Sequence, residues 1–161
     1  AQLGLLTTEH NITNASTAGF NRQRTIQASN VAMLTGSGYV GQGAHVQTIS
    51  LRAGSRIDAV SIQLNDGTTL QHGGYGGTAT SLTLNAGEYV QSARLCSAQK
   101  NGHTRIFYAR FTTSSGRTLA GGSTTGSCVV YTAPSGWSIV GFHGRSGSEV
   151  DKLGMIYAPV N

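Results

Sequence analysis

Three features of this 161-residue sequence predict an all-β fold: apolar and polar residues alternate along short runs, glycine is abundant at 23 residues, and helical spacing is hard to find. Ile57, Val60, Ile62 and Leu64 fall in near-alternation along 56–64, and Asn65-Asp66-Gly67 supplies the hairpin turn that ends the run. The same pattern predicts strands at 81–84, 88–95, 104–112, 128–131, 138–142 and 155–157. Asn85-Ala86-Gly87-Glu88, Lys100-Asn101-Gly102-His103 and Ser114-Ser115-Gly116-Arg117 divide them as hairpin turns. Short strands separated by glycine turns build a sandwich, a barrel or a prism.

Within 104–112, parity puts Arg105, Phe107, Ala109 and Phe111 on one face and Ile106, Tyr108 and Arg110 on the other, a core strand whose arginines extend their charged ends to water. Trp137 reads as a core or rim residue, and Tyr39, Tyr75 and Tyr157 as aromatics at a pocket edge. The best helical stretch is 28–34. Residues 1–38, richer in Asn and Thr and weaker in periodicity, are expected to form an N-terminal extension or a first strand with a long loop, in a chain that otherwise makes one domain over 1–161. Asn11 and Asn14 stand in glycosylation sequons, a pattern common by chance.

Charge narrows the function. Eleven Lys and Arg against six acids give +5, and the arginines run from Arg22 to Arg145 without a cluster in the sequence. Nucleic-acid binders concentrate such charge with aromatics between, so no nucleic-acid partner is expected. No apolar run reaches the length that spans a bilayer, so no membrane insertion is expected, and the absence of a charged-then-apolar leader suggests a mature or excised form. Cys96 and Cys128 are too few and too far apart for paired zinc-ligand spacing. They read as a disulfide, and with it secretion; two buried thiols are the alternative.

Near the end of the chain, the apolar runs 137–142 and 153–157 flank a polar loop of glycines and small residues ending in Asp151. Backbone N–H groups and one carboxylate around a small concavity suit neighbouring hydroxyls, which each donate and accept. Gly144-Arg145-Ser146-Gly147-Ser148 faintly resembles a protease serine loop, and His10, His45, His72, His103 and His143 offer bases. The position before that serine is Arg145 rather than an acid, and no histidine sits in a recognisable triad context, so no catalytic residue is assigned. His72 and His143 adjoin the proposed loops and are read as loop histidines bonded to nearby carbonyls; with so few carboxylates, neither metal nor cofactor is expected.

Gly67-Thr68-Thr69-Leu70-Gln71-His72-Gly73-Gly74-Tyr75-Gly76-Gly77, then 81–90, then Phe111-Thr112-Thr113-Ser114-Ser115-Gly116-Arg117, then 141–159, resembles the jacalin-related lectins in order and spacing, over about two thirds of the chain. The resemblance implies a β-prism I of three four-stranded Greek-key sheets with pseudo-threefold symmetry, and no enzyme. It implies a sugar-binding Gly-x-x-x-Asp loop at Gly147-Ser148-Glu149-Val150-Asp151: the Asp151 carboxylate accepts from two sugar hydroxyls, and the N–H groups of Ser148, Glu149 and Asp151 donate. The loop of Gly74, Tyr75 and Gly76 is expected beside it, and Gly41, with Gly43, stands in for the glycine loop that opens many plant members. Galactose-preferring relatives carry an aromatic where this chain has Ser148, which favours mannose, glucose or N-glycans on glycoproteins and cell surfaces. Cys96, Cys128 and the middle section resemble bacterial jacalin-type domains more than plant ones. Three alternatives stand beside this reading: a galactose lectin, a glycan-targeting module of a larger secreted protease or toxin, and a structural β-domain with an idle pocket. Homo-oligomers or attached domains would supply the multivalency that weak sugar sites need.

Overall fold

The computed structural model describes residues 24–26, as a strand, and 45–160. The strands are β1 (Arg24–Ile26), β2 (Val46–Ala53), β3 (Ile57–Leu64), β4 (Thr69–Gly73), β5 (Thr78–Thr83), β6 (Val90–Lys100), β7 (His103–Thr113), β8 (Thr118–Gly122), β9 (Ser127–Thr132), β10 (Trp137–Ser146) and β11 (Val150–Pro159). The helical reading of 28–34, both sequons, His10, Tyr39, Gly41 and Gly43 lie outside the described residues.

Two sheets share one topology. In β4-β3-β2-β5 and in β8-β7-β6-β9, three consecutive hairpin strands are followed by a fourth that returns beside the first, which is a Greek key. A third set, β1-β10-β11, has three strands among the described residues, with β1 from the N-terminal part of the chain beside β10 as β5 stands beside β2 and β9 beside β6. It is tied to β6 through the single pair Ile139 and Val90. The inward side chains of all three sets close one core, in which the rings of Phe111 and Phe142 meet at 5.5 Å between centroids. Both are fully buried, each contributing about 1.5–3 kcal/mol by leaving water.

The predicted strands are present, most of them longer than expected, and β2, β4 and β8 are additional. β10 runs on through Arg145 to Ser146 and β11 starts at Val150, so the polar loop is far shorter than the sequence suggests. One parity expectation is corrected. Cys96 pairs Tyr108 and Ser97 pairs Ile106, so a β-bulge leaves Phe107 unpaired and reverses the facing of everything before it. Ile106 therefore joins Ala109 and Phe111 in the core, while Tyr108 and Arg110 face outward. Trp137 packs against the core, as expected.

Cys96 and Cys128 are bonded, joining strand β6 to strand β9 at directly opposed positions. Hairpins β2–β3, β6–β7 and β10–β11 all turn at the same end of the prism, and that end carries the candidate site.

Candidate functional site

The loop between β10 and β11 is held by its own backbone. Gly147 N donates to the Glu149 carbonyl at 2.9 Å, and a register shift after Arg145 marks where the two strands diverge. Val150 is buried and anchors the loop, while Gly147 and Ser148 are exposed. The N–H groups of Ser148 and Glu149 donate to no acceptor among the described residues.

The same construction occurs a second time. Arg52-Ala53-Gly54-Ser55-Arg56-Ile57-Asp58 parallels Arg145-Ser146-Gly147-Ser148-Glu149-Val150-Asp151, with Arg, Gly, Ser and Asp identical and Ile57 matching Val150. Gly54 N donates to the Arg56 carbonyl at 3.1 Å, a register shift follows Arg52, and Ile57 is buried. This second loop was absent from the sequence-based expectations, although the repeated heptapeptide is a signal that finds it.

The glycine loop 73–77 lies between the two repeats. Gly74 N donates to the Asp58 carbonyl at 2.9 Å, and a Cβ on Gly74 would fall on the carbonyl of Ser148. Gly76 and Gly77 pass so close to the Asp58 carboxylate that added Cβ atoms would lie 2.9 Å from Oδ1 and 2.7 Å from Oδ2. Arg52 fixes the loop, its Nε donating to Gly76 O at 3.0 Å and its Nη2 to Tyr75 O at 3.0 Å and Gly77 O at 3.1 Å. Tyr75, 85% exposed, projects from a backbone that is pinned beneath it. The structure thus brings Gly74 against Ser148, and Gly76 and Gly77 against Asp58.

Folding also gathers cations that the sequence scatters. Arg56, Lys100, Arg105 and Arg145 come from all three hairpins to this one end, against the carboxylates of Glu149 and Asp151, and Arg52 stands with them beneath the glycine loop. The arginines are unclustered in the sequence, yet distant positions converge in the fold because hairpin ends converge.

The two loop acids differ sharply. Glu149, 13% exposed, accepts from Arg56 Nε at 2.8 Å, from Arg56 Nη2 at 3.3 Å and from Lys100 Nζ at 2.7 Å. The hydrogen bonds from Arg56 and then Lys100 outweigh burial and hold its carboxyl at about 2. Its side chain is consumed by structure, which leaves its N–H as the group with no acceptor among the described residues. Asp151, 24% exposed, lies 3.0 Å from Arg105 Nη1 through Oδ1, whereas Oδ2 is 4.0 Å from Arg145 Nε, beyond hydrogen-bond distance. Both oxygens are therefore ion-paired, Oδ1 closely to Arg105 and Oδ2 only loosely to Arg145, and Oδ2 receives no hydrogen bond among the described residues.

No group of three or more His, Cys, Asp and Glu with metal-ligand geometry exists among the described residues. His143 lies across Gly154 within the β10–β11 hairpin, and His72 belongs to β4, opposite Val60; both are strand residues rather than loop residues.

Comparison with known proteins bears on the family and the fold. The model of the Jacalin-like lectin domain family matches residues 33–156. Jacalin-related lectin 22 of Arabidopsis thaliana is 32% identical over 112 residues, covering 66% of this chain and 24% of that protein, so the chain spans about a quarter of that relative's length. Among solved structures, a mannose binding jacalin related lectin from Ananas comosus is 26% identical with a TM-score of 0.64, over 75% of this chain and 87% of that one. Wild-type Malaysian banana lectin is 24% identical with a TM-score of 0.70, over 85% and 89%. A galactose binding lectin from champedak is 21% identical with a TM-score of 0.61, over 71% and 92%. At such identities the last two speak for the fold alone. The relatives named are plant proteins and lend nothing to a bacterial affinity.

Proposed function

The chain belongs to the jacalin-like lectin family, and from that premise we propose that it binds mannose- or glucose-type sugars, or the N-glycans that carry them, at the loop 147–151. The domain is carbohydrate-binding and non-catalytic. The observation that carries the sugar-site reading is the placement of two open amides, on Ser148 and Glu149, on the same short loop as the Asp151 carboxylate, which is about a quarter exposed. Adjacent hydroxyls of a pyranose donate to Asp151 Oδ2 and accept from those amides, while Arg105 keeps Oδ1 and fixes the carboxylate plane.

Ser148 offers no ring to stack on a sugar face, which favours mannose or glucose over galactose. Against this, the exposed Tyr75 supplies such a ring on the glycine loop between the two repeats, so galactose belongs among the ligands tested. A few charge-assisted bonds, each contributing about 1.5–3 kcal/mol before entropic losses, predict monovalent affinity near millimolar. Useful binding then needs several copies or neighbouring domains. The disulfide supports a secreted setting, and the greater length of the Arabidopsis relative supports a glycan-targeting module within a longer protein.

A glycan array probed with the intact chain tests the reading. Mannose- and glucose-type spots are expected, and they are lost in Asp151→Asn with an unchanged circular dichroism spectrum. Signals that survive Asp151→Asn but vanish in Asp58→Asn move the site to the repeated loop. An array on which no saccharide binds overturns the proposal.

A further inference from the structure

A second charged feature lies away from the hairpin ends, on the outer face of the sheet β8-β7-β6-β9. Arg94 of β6 and Arg110 of β7 are direct cross-strand partners, so two guanidinium side chains rise side by side from the middle of the sheet. Like charges directly opposed across a ladder are destabilising, and an anion held between them offsets that repulsion. Neither arginine has such a partner among the described residues: the ion pairs there use Arg56, Lys100, Arg105, Arg117 and Arg145. Arg110 Nε is buried with no hydrogen-bond acceptor, which leaves a charged donor without the bond that its burial calls for.

The surroundings are chemically specific. The row through the pair ends in Val130 on one side and Ala120 on the other, both exposed and neither able to accept a hydrogen bond from its side chain. The row on one flank carries Ser92 and Thr112, and the row on the other carries Tyr108. Hydroxyl donors thus stand around two guanidinium forks, with no carboxylate among them.

We infer that Arg94 and Arg110 form an oxyanion site on this face, taking a sulfate or phosphate group. A tetrahedral oxyanion set between two planar forks accepts from both at once, draws the Arg110 guanidinium outward so that its Nε gains an acceptor, and cancels the repulsion across the β6–β7 ladder. The site is separate from the loops that carry Asp58 and Asp151, so it stands whether or not those loops bind sugar. A free anion and a sulfate ester on a saccharide share this chemistry.

The test uses the intact chain and follows the arginine Nε–Hε resonances by NMR during titration with sodium sulfate, with sodium chloride at matched ionic strength as reference. Saturable shifts of the Arg94 and Arg110 signals are expected. In Arg94→Gln, the sulfate dissociation constant rises about tenfold or more, the loss of one charge-assisted contact, while Asp151→Asn leaves it unchanged. A second titration compares methyl glucoside 6-sulfate with methyl glucoside. Tighter binding of the ester than of sulfate assigns the site to sulfated glycans, and equal binding assigns it to the free anion. Shifts that never saturate, that persist unchanged in Arg94→Gln, or that methyl glucoside reproduces overturn the assignment.

Discussion

Arg56 and Glu149 occupy the same position in two copies of one heptapeptide, and they are bonded to each other: Arg56 Nε lies 2.8 Å from Glu149 Oε2 and Nη2 lies 3.3 Å from Oε1. The two loops match in backbone, in their buried Ile57 and Val150 and in their terminal aspartates. They differ where one meets the other. Identical acids at that position would repel; opposite charges turn two repeated loops into one rigid end.

That bond makes a reciprocal prediction. Glu149→Gln leaves Arg56, Lys100 and Arg105 facing each other without their shared anion, and is expected to cost about 1–2 kcal/mol. The double variant Arg56→Glu with Glu149→Gln puts an acid back beside the same cations and should recover part of the loss. Urea unfolding of the two single variants and the double variant measures the coupling, and strict additivity would contradict it.

Acid should loosen both ends of the prism. At the end opposite the loops, Glu88 accepts from Asn85 N at 2.8 Å, from Ser115 Oγ, from Thr113 Oγ1 at 2.5 Å and from Arg117 Nη1 at 3.2 Å. These bonds, led by the Asn85 amide, hold its carboxyl at about 2, as those from Arg56 and Lys100 hold Glu149. Both carboxyls are lower in the folded protein than the ordinary 4.5, so their stabilisation is complete above that value and is lost as pH falls from there toward 2. The urea midpoint should therefore decline across this window. Glu88→Gln should lower the neutral-pH midpoint and flatten the decline.

Much of the fold was legible because alternation is written directly in the side chains: Ile57, Val60, Ile62 and Leu64 announce β3, and Asn65 to Gly67 its turn. Parity failed at Phe107, where a bulge inserts an unpaired residue and leaves no one-dimensional trace. The turns at 85–88 and 114–117 were recognised separately, but Glu88 binding Ser115 and Thr113 joins them, and no local pattern reports that. The site was half legible. Gly147, Ser148 and Asp151 follow from a spaced motif, whereas the use of the Glu149 side chain depends on Arg56 and Lys100, 93 and 49 residues away. The twin loop at Asp58 was visible as a repeat, but a heptapeptide recurring once has little statistical weight before the fold sets the copies side by side.

The Cys96–Cys128 bond clamps β9, the outer strand of its sheet, onto β6. A bridge across 32 residues restricts the unfolded chain by about 3.5 kcal/mol. The Cys96→Ala, Cys128→Ala double variant should lose stability of that order, and dithiothreitol should shift wild-type unfolding while leaving the variant unmoved. Equal midpoints for wild type with and without reductant would show that the clamp adds nothing.

Gly74 and Gly147 separate the demands of the fold from those of a ligand. A Cβ at 74 would strike the Ser148 carbonyl, so Gly74→Ala must push the loops apart at a cost of about 1–3 kcal/mol. At 147 the space is open, with no heavy atom within 4 Å of an added Cβ, and the residue is not among the glycines of positive φ. Nothing in the protein itself asks for glycine there. Gly147→Ala is therefore expected to keep the wild-type melting temperature and still lose sugar binding, because the methyl group occupies the approach to the Ser148 and Glu149 amides. Gly126→Ala, equally open but remote from the loops, should change neither quantity. If Gly147→Ala binds glycans as wild type does, the ligand does not approach this side of the loop.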